Sequence, residues 1–295
     1  MPGEGLLRGR DPRAVVGTAV LAVVVLVALL APVVTTGDPA RQHDVVATRL
    51  LPPGTTDGFG VYHLLGTDRL GRDVWTRLAF GARISLGVGT LAVVLSVVIG
   101  LVVGATAAIT RGWLSTALLA ATDFALALPR VVLLLLLAAL WAPSVMAVVL
   151  VLGATGWMTV ARLVYAESRS LVTRPFAEAA VALGARRRRL LFRHLLPNLL
   201  TPVVVAAALG IGNAILLESG LSFLGLGVQP PAPSWGNMIA AGRDALMDAP
   251  WIAGAPGVAL VLVVVACTLL GDALQDRVGP GRRTRARELY RIGRA

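Results

Sequence analysis

The chain has 295 residues, 56% of them hydrophobic, and a mean hydropathy of +0.78, which places it among multispanning membrane proteins rather than soluble domains. All 27 basic residues are arginine, so the chain carries no phosphate-loop, Schiff-base or general-base lysine, and any nucleotide hydrolysis that drives it belongs to another chain. The net charge of +11 comes from arginines beside apolar runs, as membrane topology requires, and does not argue for nucleic acid. Cys267 has no partner for a disulfide. His43, His63 and His194 are too far apart in sequence for a helical metal pair, and nothing else argues for a metal or a cofactor.

Arg8, Arg10 and Arg13 precede an apolar run over 14–34. A span needs about 20 residues, against about 7 to 15 for the apolar part of a signal peptide, so a retained first transmembrane helix is favoured over a cleaved one. The arginines before it put residues 1–13 in the cytoplasm. Residues 35–83 form an extracytoplasmic loop punctuated by Gly37-Asp38-Pro39 and Pro52-Pro53-Gly54. Within it Leu70, Val74, Trp75 and Leu78 recur at helical spacing among Arg72, Asp73 and Arg77, which predicts an interfacial amphipathic helix. Its six arginines count against an outside location, but the interleaved aspartates can pair with them, and the remaining segments outvote it.

A second span from about Ile84 to Ile109 contains Gly100-x-x-x-Gly104. That spacing admits the backbone of another helix, and is equally compatible with the ordinary glycine content of spans. From about Leu114 to Tyr165 the chain is apolar, enough for two spans, and Trp141-Ala142-Pro143-Ser144 supplies the break as an outside turn. Asp123 lies in the first of these two. An ionisable group at membrane depth costs roughly 2.5 to 3.5 kcal/mol on insertion scales, so Asp123 either lines a pathway or pairs with Arg111 or with an arginine of another chain.

The stretch from Thr173 to Asn198 is the one long internal segment too polar for hydrocarbon. Pro175 after Thr173, as N-cap, marks a helix start. Phe176, Ala180 and Leu183 fall on one face with Ala179 beside them, Glu178 sits in the first turn where the helix dipole favours a carboxylate, and Gly184 stops the helix. By periodicity such a helix suits a groove on a soluble partner and an interfacial position on lipid, with Arg186–Arg189 at headgroups, equally well.

A fifth span runs from about Leu199 to Leu217. Glu218, about 30 Å along the helix from Asn198, is therefore expected near the outer interface, as a polar rim contact more than a proton relay. Pro230, Pro231 and Pro233 point to an ordered loop over 224–250 with Trp235 as an interface anchor. The sixth span covers about Trp251 to Leu270, and the arginines of 277–295 form a basic cytoplasmic tail. The reading is an all-α polytopic membrane protein with six transmembrane helices, both termini and the loop 168–198 cytoplasmic, and five of the spans in a core over 84–276.

The order Glu178-Ala179-Ala180, Gly184, His194-Leu195-Leu196-Pro197-Asn198 resembles the EAA loop of ABC-importer permease subunits. GTDRLGRD (66–73), GARISL (81–86), ESGLSFLGLGVQPPAPSWGNM (218–238) and GDALQD (271–276) are similar to the C-type permeases of dipeptide, oligopeptide and nickel importers, and the resemblance covers about residues 8–280. It implies a type I importer in a bacterial cell membrane, built from this chain, a second permease subunit in a heterodimer, two cytoplasmic ATPases and an extracytoplasmic solute-binding protein. It implies further that Phe176, Glu178, Ala179, Ala180, Leu183 and Gly184 form the coupling helix, with His194, Pro197 and Asn198 at the start of the fifth span. Pro175 stands where a polar or acidic residue is usual, and Arg186 where serine is common. A peptide cargo is the leading expectation and a nickel or metal chelate the close alternative. An ion-coupled transporter or channel would need ionisable residues in several spans and often internal repeats; Asp123 is the one deep candidate, and no repeat is evident. No zincin-like histidine pair or serine-histidine arrangement lies in a span, so an enzyme is not expected.

Overall fold

The structure, a computed structural model, describes residues 11–278 except positions 36, 43 and 111, and except the side chains of 181, 277 and 278. Arg8, Arg10, Arg111 and the tail arginines from Arg282 onward lie outside the described residues. In chain order the elements are α1 (Pro12–Leu29), α2 (Ala31–Val34), α3 (Val45–Thr48), β1 (Thr55–Thr56), β2 (Tyr62–His63), α4 (Val74–Ile109), α5 (Trp113–Ala127), α6 (Arg130–Leu140), α7 (Val145–Val172), α8 (Pro175–Ala182), α9 (Arg187–Leu190), a π-helical turn (Leu191–Leu195), α10 (Leu196–Phe223), α11 (Trp235–Gly242) and α12 (Trp251–Val278). Among the described residues five helical stretches are long and apolar enough to cross a membrane, and α5 with α6, bent by 90° at their junction, supply a sixth passage if that pair is one span. The strands form a single antiparallel hairpin in the loop, too small to change the all-α class.

Named contacts define the two ends of the bundle. At one, Trp75 Nε1 donates to the Val34 carbonyl (3.1 Å) and Trp251 Nε1 to the Thr67 carbonyl (3.2 Å), which gathers the end of α2 with the starts of α4 and α12. At the other, Arg13 and Asp276 approach to 3.9 Å, so α1 begins beside the end of α12. At that second end Ala105 of α4, Val164 and Leu171 of α7, Ala177 of α8, Leu195 of the π turn and Leu199 of α10 share one buried cluster.

The amphipathic segment expected ahead of Ile84 is the first part of α4 itself. Asp73 caps the helix, its side chain accepting from the Thr76 N–H, so α4 runs 36 residues, about 54 Å against about 30 Å of hydrocarbon. The loop before it is tied by ion pairs. Arg72 Nε donates to Asp68 at 2.7 Å, the buried Arg77 stands 3.7 Å from the same carboxylate, and the His63 ring lies between Asp57 and Asp73. Of the interleaved aspartates, Asp68 thus pairs with Arg72 and Arg77, while Asp57 and Asp73 face His63.

Inside the bundle α4 packs along α7. A side-chain carbon on Gly100 would lie 2.6 Å from Val160 Cβ, and one on Gly104 would run into the Ala161 carbonyl and stand 2.9 Å from Val164 Cβ. Gly100-x-x-x-Gly104 is thus a close-approach face, and the facing atom at Gly104 is backbone, which cannot rotate away. Gly104→Ala should therefore destabilise the detergent-solubilised protein by about 1–3 kcal/mol, read as a lower midpoint of thermal unfolding. Gly87→Ala, where nothing lies within 4 Å, should leave the midpoint unchanged.

Candidate functional site

The polar segment after α7 folds as a short helix and a turn. Thr173 does not cap α8: its hydroxyl donates back to the Ser170 carbonyl (3.0 Å) at the end of α7. Arg174 takes the N-cap position instead, its carbonyl accepting from the N–H groups of Ala177 and Glu178, with Pro175 as the first helical residue, where its missing N–H leaves nothing unpaired. At the other end the Ala185 N–H reaches the Ala180 carbonyl (3.0 Å) across Gly184, which has φ +80° and open space around it. Glycine is needed there for its backbone, since a left-handed residue closes the helix.

α8 has two faces. Ala177 is fully buried in the cluster of α4, α7 and α10, and Ala180, one turn on, is half-buried against it. Phe176, Glu178, Ala179 and Leu183 are exposed, Leu183 at 89%. The expected face of Phe176, Ala180 and Leu183 is therefore corrected: Ala180 belongs to the inward side with Ala177, and the outward apolar face is Phe176, Ala179 and Leu183. Ala177 was missed because it lies off the face drawn through Phe176, Ala180 and Leu183; its small size permits the close seat.

The re-entry into α10 is widened to a π turn, the Leu196 N–H bonding to the Leu191 carbonyl five residues back. Pro197 accounts for it, because proline has no N–H to give and its ring clashes with the carbonyl four residues earlier. Asn198 Nδ2 then donates to the His194 carbonyl at 2.7 Å. His194, Pro197 and Asn198 thus act on one backbone irregularity between the helix α8 and the span α10.

The two carboxylates singled out, Asp123 within a span and Glu218 at the end of one, differ in their surroundings. Asp123 pairs with Arg162 of α7 at 3.1 Å, both about half exposed, so its partner lies within the chain. Glu218 is fully buried, which overturns its expected place at a polar rim. Its Oε1 accepts from Ser222 (2.7 Å), and its Oε2 from Ser85 of α4 (3.0 Å) and Ser219 (3.4 Å). Ser222 also accepts the Val228 N–H, and Ser85 the Trp235 N–H. The carboxylate thus gathers α4, α10 and the proline-containing segment into one knot. Trp235 is buried, its Nε1 donating to the Leu78 carbonyl, so it is an internal joint and not an interface anchor. The helix α11 that it opens, within the expected loop, starts after Pro233 with a capping box of Ser234 and Asn237. Ser222, four residues after Glu218, was legible as a same-face neighbour; Ser85, 133 positions away, was not.

Removing the Glu218 side chain strands several buried hydroxyls at once. Glu218→Ala should lower stability by more than the about 1–3 kcal/mol of a single unsatisfied group, while Glu218→Gln, which keeps one acceptor, should lie between Ala and the wild type. Thermal unfolding in detergent measures the order.

Comparison with known proteins agrees with this architecture. Residues 96–284 match the family model of the binding-protein-dependent transport system inner membrane component, and residues 9–53 that of the N-terminal transmembrane domain of oligopeptide transport permease C. A protein of Brucella suis biovar 1, provisionally named a peptide transport system permease, is 38% identical over 93% of this chain and 89% of its own. The dipeptide transport system permease protein DppC of Alkalihalophilus pseudofirmus is 35% identical over 92% of this chain and 86% of its own. In fold, a chain of the MetNI methionine ABC transporter in an inward-facing conformation superposes with a TM-score of 0.57 at 21% identity, over 68% of this chain and 96% of that one. With matches that span nearly its whole length, this multi-pass chain belongs to the family of binding-protein-dependent transport system inner membrane components, and is a transport permease of the inner membrane and not an enzyme.

Proposed function

We propose that this chain is half of the translocation pathway of an ATP-driven importer of di- or oligopeptides, and that α8 is the helix through which cytoplasmic ATPases move it. Family membership implies an ATPase and a binding protein as partners; two ATPase subunits, a second, different permease subunit, and termini and α8 on the cytoplasmic side are parts of the proposal. The similarity to a dipeptide permease supports the cargo class. The observation that carries the coupling role is the two-sided geometry of α8: Ala177 is rooted in the cluster that joins α4, α7 and α10, while Phe176, Ala179 and Leu183 face outward together with Glu178. A helix rooted on three spans transmits displacement, and an apolar outer face beside a carboxylate suits a groove on a soluble partner.

The motion is a population shift between arrangements of two permease halves. ATP binding drives the coupling helices together and hydrolysis lets them part, and each nucleotide state biases the equilibrium only by its differential affinity for the two arrangements. Residues Phe176, Glu178, Ala179, Leu183 and Gly184 carry the contact in this reading, Ala180 seats it, and His194, Pro197 and Asn198 pass it into α10.

Gly184→Pro, which cannot adopt the left-handed φ of this position, and Glu178→Ala should each reduce ATP-dependent peptide uptake by about tenfold or more, a change of about 1.4 kcal/mol or more. Copurifying ATPase should fall in parallel while the amount of chain in the membrane stays the same. Uptake at the wild-type rate in both variants would remove the coupling assignment.

A further inference from the structure

We propose that Arg130 receives a carboxylate of the transported molecule, in a cavity between α4, α7 and α10. The inference rests on the reading of the cargo as a peptide, which ends in a carboxylate. It begins from the bend between α5 and α6. Leu128 and Pro129 are extended rather than helical, the axes turn by 90°, and Arg130 becomes the first residue of α6 instead of a mid-span residue. The turn delivers its side chain to a cavity of about 380 Å³ whose polar lining is Ser96, Arg130, Thr159 and Asn213 among alanine, valine and leucine. That volume falls in the range of about 300–1,000 Å³ typical of small-molecule sites. The lining comes from residues 92–97 of α4, 152–163 of α7 and 206–214 of α10, the middle portion of each helix.

The guanidinium there meets no counter-charge from the described residues. Among the described residues no carboxylate lies within 4 Å of it, and its Nε is shielded from solvent with no hydrogen-bond partner. Of the acidic groups on the neighbouring spans, Asp123 pairs with Arg162 and Glu218 with its serines, and Glu167, in the last two turns of α7, forms no ion pair with Arg130. Gly156 of α7 makes the approach open: a side-chain carbon on it would stand 3.4 Å from Arg130 Nη2 and would run into Ser96 Oγ. An arginine held at membrane depth is unfavourable unless it meets a partner or water. Its planar fork fits a carboxylate with two parallel hydrogen bonds, which an ammonium does not reproduce. A molecule passing between the helices with a free carboxylate supplies the missing charge halfway across, and Ser96, Thr159 and Asn213 offer polar contacts for its backbone.

The test uses the complete importer in proteoliposomes, with its partner permease, ATPases and binding protein, and compares uptake of labelled alanyl-alanine with that of its C-terminal amide. The wild type should prefer the acid, and Arg130→Gln should lower the acid-to-amide ratio by about tenfold, the scale of one charge-assisted hydrogen-bonded contact, with Arg130→Lys intermediate. The binding protein is common to all three assemblies, so a change in the ratio belongs to position 130, and ATPase stimulation by the binding protein should persist. An unchanged ratio in Arg130→Gln overturns the proposal while leaving the peptide reading in place. Loss of the partner permease from purified Arg130→Gln assemblies also overturns it, because the counter-charge then lies on that subunit. Uptake of neither compound by the wild type overturns the peptide reading, and the proposal with it.

Discussion

Between two helices in hydrocarbon there is no water to expel, so contact depends on packing and on the few hydrogen bonds that can be made across the gap. The α4–α7 seam meets that constraint with absent side chains, Gly100 and Gly104 admitting the α7 backbone around Trp157 and Ala161. The seat of α8 at the far end of the molecule rests on this seam. The cluster that roots Ala177 of α8 is built on Ala105, just beyond the seam in α4, and on Val164 and Leu171 of α7. A looser seam would let α8 move without carrying the spans with it.

Polar groups perform the complementary task of fixing register where packing alone leaves it open. Glu218 holds hydroxyls from α4 and α10, and through Ser85 and Ser222 it reaches the backbone of Trp235 and Val228. A buried carboxylate with satisfied partners specifies one arrangement, since a shift of either helix would strand it. At the same end of the bundle, Asp68 collects Arg72 and Arg77, so a loop rich in arginine becomes a folded cap. The two ends thus differ in kind: one tied by hydrogen bonds and by ion pairs to Asp68, the other with the apolar face of α8 and the run Arg186–Arg189 as its outward features.

Much of this was legible in the sequence. Apolar run length located the spans, because hydrocarbon thickness sets a minimum that loops do not meet. Pro175 and Gly184 marked the bounds of α8 within a residue or two, since each acts through its own backbone. What could not be read were the relations between distant segments. Glu218 looked like a rim residue because its depth was counted along one helix, whereas α11 and the segment before it fold back over that end and bury it. Arg162 was not identified as the partner of Asp123, because nothing local ties one span to another. Ala180 was assigned to the wrong face because periodicity reports which residues share a side and not which side meets the body of the protein. Arg130 drew no attention as a site, since only the bend at Pro129 turns it toward the cavity.

Coupling through α8 requires that its outward face meet an ATP-binding subunit and not lipid. Placing a photo-reactive residue at position 183, where Leu183 is exposed just past the end of that helix, in the assembled importer tests it directly. Irradiation should yield a covalent adduct between this chain and the ATP-binding subunit, with a yield that changes on nucleotide binding. Adducts with lipid alone, in an assembly that still contains the ATPase, would contradict the account.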